Sequence, residues 1–142
     1  MMLMPKKPKY LKSFSNKKII TNNKKQNSLK FAKFCLISSD AGFIPNFQIE
    51  AVKLFLRKNL KKRGQIFFRL FPNQPITKKA NETRLGRGKG NLKYWSFFCK
   101  KGKIIIEINS SNLKLVKLLL KYVKYQLNIK CFLFNLKFRW IL

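Results

Sequence analysis

The stretch NFQIEAVKLFLRKNLKKRGQIFFRLF, residues 46–71, joins a helical pattern to a strand pattern and so decides the fold class. Its apolar residues recur at the spacing of one helical face: Ile49, Val52, Leu56 and Leu60. Gly64 then ends the helix, and the run 65–71 has the composition of a buried strand. A helix and a strand that each bury an apolar face predict an α+β domain.

A second face of the same helix is basic. Three cations follow one another at i, i+4 and i+8: Lys53, Arg57 and Lys61. The helix is predicted to start near Pro45 and Asn46 and to run to residue 62, with one face for the core and one positive face.

Outward from this stretch, the patterns predict a sheet and a second helix. Strands are expected at residues 31–37, 93–99, 103–108 and 129–138, with 93–99 and 103–108 joined as a hairpin. The second helix is capped by Ser110 or Ser111 and buries one stripe: Leu113, Val116, Leu120, Val123 and Leu127. The expected fold class is α+β, with two helices packed on an antiparallel or mixed sheet.

Composition divides the chain into three parts. Residues 1–30 form an extended basic arm without hydrophobic period, 31–138 a single α+β domain, and 139–142 a tail. Residues 38–47 are turn material that leads into the first helix, and 72–90 lack periodicity. A long, flexible, Gly-rich loop is therefore expected at 73–91, where such length marks function or disorder.

Charge defines the kind of partner. Lysine and arginine outnumber acidic residues by 33 to 4, which gives a formal net charge of +29. Such a chain repels itself in water, so nucleic acid or an anionic membrane surface is expected to supply the counter-charge. A membrane-spanning segment needs about 18 uninterrupted apolar residues, whereas Lys or Arg interrupts every apolar run here. Nucleic acid is the favoured partner, and no membrane insertion is expected.

Few side chains of this sequence could carry catalysis or hold a metal. Histidine is absent, and Cys35, Cys99 and Cys131 lie far apart without a CxxC pair, which excludes the usual zinc frameworks. The cysteines are expected to be buried in a reducing compartment. Because the four acids are scattered along the chain, catalysis by paired carboxylates has little to work with. A small RNA-processing or RNA-modifying enzyme, or a membrane-disrupting cationic protein, stays open as an alternative.

The loop sequence TRLGRGKGNLKYW, residues 83–95, alternates glycines with cations. Glycine lets the backbone approach a polyanion while neighbouring cations reach its phosphates. A Walker loop would need glycine in place of Thr83 and a hydroxyl residue in place of Gly90, and a dinucleotide loop would need glycine in place of Asn91. Neither fingerprint fits. Contact with a polyanion is favoured over a flexible turn with incidental lysines, and Tyr94 and Trp95 are expected in the core.

The second helix carries a basic stripe of its own: Lys114, Lys117, Lys121 and Lys124. Such a stripe is usually a solvated face, but no acid balances this one. A solvated face and a phosphate-binding face remain equally open.

Three segments together resemble the universal large-subunit ribosomal protein L-sixteen family. The start MLMPKKPKY, residues 2–10, is similar to the start of bacterial and organellar members, the block 48–95 is similar to the central block, and KKGKIIIEI to the hairpin that follows. The most specific part is RLFPNQPITKK joined to ETRLGRGKG. The likeness covers residues 2–134.

This resemblance implies a compact α+β fold and a structural, non-enzymatic role without metal or cofactor. Family members bind large-subunit rRNA near the aminoacyl-tRNA site, with the glycine-rich loop directed toward the peptidyl-transferase centre. The implied partners are rRNA, tRNA at the A site and neighbouring ribosomal proteins. Matched to the family's cations, and combined with the basic helical faces, the expected rRNA- and tRNA-binding residues are Lys6, Lys7, Lys9, Lys53, Arg57, Lys61, Lys78, Lys79, Arg84, Arg87, Lys89, Lys117 and Lys121.

Departures from the family pattern bear on the arm and on the source compartment. Residues 13–31 replace a Gly- and Arg-rich stretch, and the last eight residues, NLKFRWIL at 135–142, are peculiar to this chain. Only six of the 33 cations are Arg, and Phe, Ile and Asn are abundant, as in proteins written by AT-rich genomes. A mitochondrial ribosome is therefore expected, with a plastid or a bacterial cytoplasm as alternatives. Because the start matches the family's start, the basic arm is interpreted as RNA-bound and not as a cleaved presequence.

Overall fold

The computed structural model describes residues 3–14, 29–61, 63–84, 86, 88–135 and 138–141. Eight strands and two helices follow one another in these ranges: β1 Phe34–Ser38, β2 Gly42–Pro45, α1 Asn46–Leu60, β3 Gly64–Phe68, β4 Gln74–Lys78, β5 Asn91–Cys99, β6 Ile104–Ser110, α2 Leu113–Gln126, β7 Cys131–Asn135 and β8 Phe138–Ile141. The α+β class and its two helices are confirmed.

The strands form two sheets in which every described pairing is antiparallel. One sheet has the order β3-β6-β1-β7-β8, and the other has the order β2-β5-β4. The predicted hairpin was wrong, because β5 and β6 follow each other through a tight turn but belong to different sheets. Strand β6 is buried from Ile104 to Glu107 and already pairs with β1 on one side and β3 on the other. No edge of β6 is left for β5.

Two strands lie where the sequence predicted turns or an aperiodic connection. Strand β2 falls within 38–47, and β4 occupies the first part of 73–91. Both are short, and each contains a proline, so neither shows a clear alternation of its own. They form because nine-residue β5 offers an edge to each of them. The loop between β4 and β5 is thus shorter than predicted and spans 79–90.

Both helices pack on one face of the five-stranded sheet. All four predicted apolar residues of α1 are buried, and α1 begins at Asn46 as expected. Helix α2 buries most of its predicted stripe, but Leu113 is exposed and Leu119 is buried in its place. The cap was also misplaced: Asn112, and neither serine, accepts the hydrogen bond from Leu115 N at 3.2 Å. Ser110 instead ends β6.

The main core lies between the helices and the sheet. Leu56 of α1 and Leu120 of α2 meet Leu36 of β1 and Ile108 of β6, all essentially without solvent contact. Each such side chain contributes about 1.5–3 kcal/mol by leaving water. Trp95 is buried as predicted. This core fixes both helices so that their opposite faces point outward.

The other face of the five-stranded sheet carries a smaller cluster around Cys35, Ile37 and Ile104. Half-buried Leu29, from the end of the arm, packs against it. The chain is thus attached to the sheet before β1 begins. The arm, domain and tail boundaries stay a prediction, although β8 includes residues 139–141 of the expected tail.

Candidate nucleic-acid interface

Two of the four acidic side chains of the chain are engaged in contacts within the protein. Glu107 is fully buried, forms an ion pair with Arg69, and accepts hydrogen bonds from the backbone N–H groups of Phe31 at 2.8 Å and Ala32 at 3.2 Å. Glu50 accepts a hydrogen bond from the backbone N–H of Leu3. Because two of the four carboxylates are engaged in this way, the surface cations are left largely without acidic neighbours.

Helix α1 and the arm line an open cavity of about 540 Å³, which we call the arm cavity. Three predicted binding residues line it: Lys6, Lys53 and Arg57. The tie between Leu3 and Glu50 holds the arm against α1 at this place. The cavity also has apolar lining from Leu3, Met4 and Leu54, so it offers both charge and apolar surface.

A second cavity, of about 440 Å³, lies between the end of α1 and the free edge of β3, and we call it the edge cavity. Arg57 lines it from α1 and Lys61 from just beyond the helix end, and Gln65, Ile66 and Phe67 line it from the strand. Arg57 therefore borders both cavities. Lys53 and Arg57 of the basic face that the sequence predicted, with Lys61 after the helix end, thus border two open cavities.

The glycine-rich loop projects from the β4–β5 pair. Gly86 and Gly88 have positive φ values of 97° and 63°, a region that side chains with a Cβ rarely adopt. Gly90 lies against the carbonyl of Lys78, where a Cβ would clash with the backbone. The two ends of the loop can close only because of that missing side chain.

The loop cations are exposed to solvent where the structure describes them. These residues are Lys78, Lys79, Arg84 and Lys89. Arg87, which was also predicted to bind RNA, lies outside the described residues. Glu82 is the loop's single acid and is exposed as well.

The arm contacts the loop as well as α1. Lys89 Nζ donates a hydrogen bond to Ser13 O and lies 4.7 Å from the ring centroid of Phe14. Lys12 Nζ donates to Lys89 O at 3.1 Å. These contacts link positions 76 and 77 residues apart. Lys7 and Lys9, between the two attachment points, are exposed.

The α2 stripe has different surroundings. Lys117 and Lys121 are exposed, together with Leu118 and Tyr122 on the same helix. Neither lysine is among the side chains that line the two cavities. The structure therefore groups Lys6, Lys53, Arg57 and Lys61, and leaves the α2 cations apart from them.

Reactive chemistry is not prominent in the described residues. Burial raises the pKa of Cys131 to about 12, and burial together with the Glu107 carboxylate raises the pKa of Cys35 to about 12. These thiols stay protonated at neutral pH and are poor nucleophiles. Over the described ranges, no group of three His, Cys, Asp or Glu side chains could hold a metal ion. Neither described helix is long and apolar enough to cross a membrane.

Sequence reasoning missed the residues that build the walls. Glu50 ties down the arm, Lys12 contacts the loop, and Phe67 closes the edge cavity. Phe67 also stacks on Phe31 with ring centroids 5.0 Å apart. No local pattern marks these side chains, because each acts through a contact with a distant part of the chain.

Comparison with known proteins identifies the family. The family model of ribosomal protein L16p/L10e matches residues 5–134. Large ribosomal subunit protein uL16c of Euglena longa is 40% identical over 91% of this chain and 95% of its own length. The uL16c protein of Cyanidium caldarium is 37% identical over 96% of this chain and 98% of its own length. The uL16 protein of Blochmanniella pennsylvanica is 38% identical over 77% of this chain and 80% of its own length. With a match of this extent, the chain belongs to the ribosomal protein L16p/L10e family.

Proposed function

We infer that this chain is a structural constituent of the large ribosomal subunit, with rRNA and neighbouring ribosomal proteins as its partners and no enzymatic role. Its family and the names of its relatives support this assignment. The physical observation that carries it is a net charge of +29 around a well-formed core. A compact domain with that charge needs a polyanion around it, and folded rRNA supplies one.

We further propose that the interface lies near the aminoacyl-tRNA site and the peptidyl-transferase centre, with the loop 79–90 directed toward the tRNA acceptor end. Two features support this placement. The loop exposes Arg84 and Lys89 on a glycine backbone, and its sequence contains a single acid, Glu82. It would position tRNA by charge.

The arm contributes to this function by supporting the loop. Its contacts with Lys89 and with Glu50 run from the loop to α1. Each phosphate that these cations neutralise releases counterions, so affinity falls steeply with salt. With about six to ten such contacts, binding drops roughly 10³- to 10⁵-fold between about 50 and 200 mM salt.

The test replaces the loop cations in assembled ribosomes. We expect Arg84, Arg87 and Lys89 changed together to Ala to slow tRNA accommodation, while the subunit still contains the protein. A matched variant removes three cations from α2: Lys114, Lys117 and Lys124 to Ala. If both variants accommodate tRNA at the wild-type rate, the loop does not act at the A site, although the ribosomal assignment stands.

Compartment is the second part of the proposal. The preference for Lys over Arg and the abundance of Phe, Ile and Asn support an organellar, AT-rich gene, and we propose a mitochondrial ribosome. The relatives named uL16c and uL16 keep a plastid or bacterial ribosome as the alternative. Co-sedimentation of the tagged protein with mitochondrial large subunits supports the proposal, and co-sedimentation with plastid or bacterial subunits overturns it.

A further inference from the structure

The two cavities on the outward face of α1 form one surface, because Arg57 borders both. We call this surface the α1 groove. Lys53 and Arg57 lie on its floor about one helical turn apart, roughly 6 Å along the axis, and Lys61 follows just beyond the end of α1 with a φ of 48°. The arm lines one side and β3 the other. A row of cations between these two sides suits an extended polyanion.

The edge cavity has the chemistry that a nucleotide requires. Arg57 and Lys61 can bind a phosphate, while Phe67, whose side chain lies on the face of β3 opposite the helices, offers an aromatic surface to a base at the strand edge. Gln65 adds an amide that can both donate and accept hydrogen bonds. The volume, about 440 Å³, lies within the usual range for small-ligand sites.

The wall of the edge cavity is held in place before any ligand binds. Phe67 stacks on Phe31 at an interplanar angle of 21°, and the Arg69 guanidinium lies 5.4 Å from the Phe31 ring centroid. Arg69 is in turn paired with buried Glu107, which also accepts the Phe31 N–H. An aromatic ring fixed in this way loses little conformational freedom when a base stacks on it.

The free edge of β3 adds polar groups to the same place. Its described pairing is with β6 alone, at one end of the sheet. Backbone N–H and C=O groups on the other side are thus left for a ligand. A base that has left its duplex can use them, whereas a paired base has its hydrogen-bonding edge occupied.

We propose that the α1 groove binds an unpaired stretch of RNA, with one base in the edge cavity beside Phe67 and its phosphate on Arg57 and Lys61. The next nucleotide toward the arm lies in the arm cavity, against Lys53 and Lys6. This inference rests on the proposed rRNA-binding function and adds that α1 selects unpaired nucleotides over duplex.

Fluorescence anisotropy with the full chain tests the groove. The probes are a labelled single-stranded eight-nucleotide oligouridine and a labelled RNA duplex, both at fixed salt. We expect Phe67→Ala to weaken binding of the single strand by roughly 5- to 150-fold, the range that the loss of one stacked base produces, and to leave duplex binding unchanged. Arg57→Gln should weaken the single strand more than the duplex. Lys117→Gln, with the same charge change outside the groove, should weaken both equally.

Photo-crosslinking provides a measurement that does not depend on the stability of a variant. The wild-type protein is irradiated with a 4-thiouridine oligonucleotide, and we expect crosslinks in the segment 64–69. Crosslinks confined to other segments would overturn the proposal. Equal losses of affinity for the single strand and for the duplex in Phe67→Ala would overturn it as well. Displacement of the oligonucleotide from the groove by an extended acidic peptide overturns it in favour of a protein strand on β3. If the wild-type chain binds neither RNA, the proposed rRNA-binding function itself fails.

Discussion

The two helices are alike in sequence and differ in what surrounds them. Each buries one apolar stripe in the same core and presents cations at helical spacing on its outer face. On α1 those cations lie between the arm and β3 and line two cavities. On α2 they lie on an open surface beside exposed tyrosines. A basic stripe is therefore common to both helices, and in the described residues the α1 cations differ in lining cavities together with other parts of the chain.

The largest effect is expected at the residue that holds the β3 wall. Glu107→Ala removes the partner of Arg69 and the acceptor of three backbone N–H groups, from Lys30, Phe31 and Ala32. Breaking a buried ion pair from one side costs about 3–5 kcal/mol. We expect the low end, since the Arg69 side chain is 19% exposed and can reach water. Urea unfolding followed by circular dichroism measures the change.

Glu82→Ala is the control, because it removes the same charge from an exposed loop position. It should stay within about 0.5 kcal/mol of the wild type. Glu107→Gln, which keeps one acceptor oxygen, should fall between the two. Equal stabilities for Glu107→Ala and Glu82→Ala would mean that the wall does not depend on the buried carboxylate.

The second prediction compares the loss of three positive charges at α1 with the same loss at α2. One variant changes Lys53, Arg57 and Lys61 to Gln, and the other changes Lys117, Lys121 and Lys124 to Gln, so each loses three charges. At about 1 kcal/mol for each lost contact, the value of a typical hydrogen bond, the α1 variant should bind single-stranded RNA roughly 100-fold more weakly. The slope of the logarithm of its binding constant against the logarithm of salt concentration should become shallower by roughly 2.

The α2 variant should lose affinity for single-stranded and duplex RNA in equal proportion, as an open basic surface would. Titrations at several salt concentrations compare the two. If both variants lose the same affinity for single-stranded RNA and for duplex RNA, the α1 and α2 cations do not differ in how they bind RNA.

Local periodicity accounts for what the sequence predicted well. Ile49, Val52, Leu56 and Leu60 are buried as expected, because a helix places residues of that spacing on one face whatever lies opposite. The buried apolar residues of α2 were also predicted, apart from Leu113, which lies in the first turn and is exposed.

The features that could not be predicted from the sequence depend on contacts between residues far apart in the chain. Strands β2 and β4 exist because β5 accepts them on either side. The arm cavity depends on Leu3 meeting Glu50, 47 residues away. Neither contact leaves a periodic pattern, since each involves one or two positions on each side. The cations that line the two cavities could therefore be singled out from the sequence, and the residues that surround them could not.

The third prediction releases the arm wall from α1. Glu50→Ala removes the acceptor of the Leu3 N–H, and a hydrogen bond to a charged group contributes about 1.5 kcal/mol. We expect faster amide exchange at Leu3 and at the neighbouring arm residues, measured by NMR, with the helices unchanged. Asp40→Ala removes an exposed acid and should leave the arm protected. Unchanged exchange in Glu50→Ala would show that other contacts hold the arm.

The smallest effect concerns how each helix begins, which is independent of the walls. Helix α1 starts after Pro45 without a side-chain cap, whereas Asn112 caps α2 through Leu115 N. Asn112→Ala should cost about 1 kcal/mol, and Ser111→Ala, at the position that the sequence favoured, should cost almost nothing. Thermal unfolding should therefore show a decrease of a few degrees in Tm for Asn112→Ala alone. A loss in Ser111→Ala as large as that in Asn112→Ala would move the cap to the serine. Because the cap stabilises α2 without touching its basic face, Asn112→Ala should leave RNA affinity unchanged, and that separates the stability of a helix from its use as a binding surface.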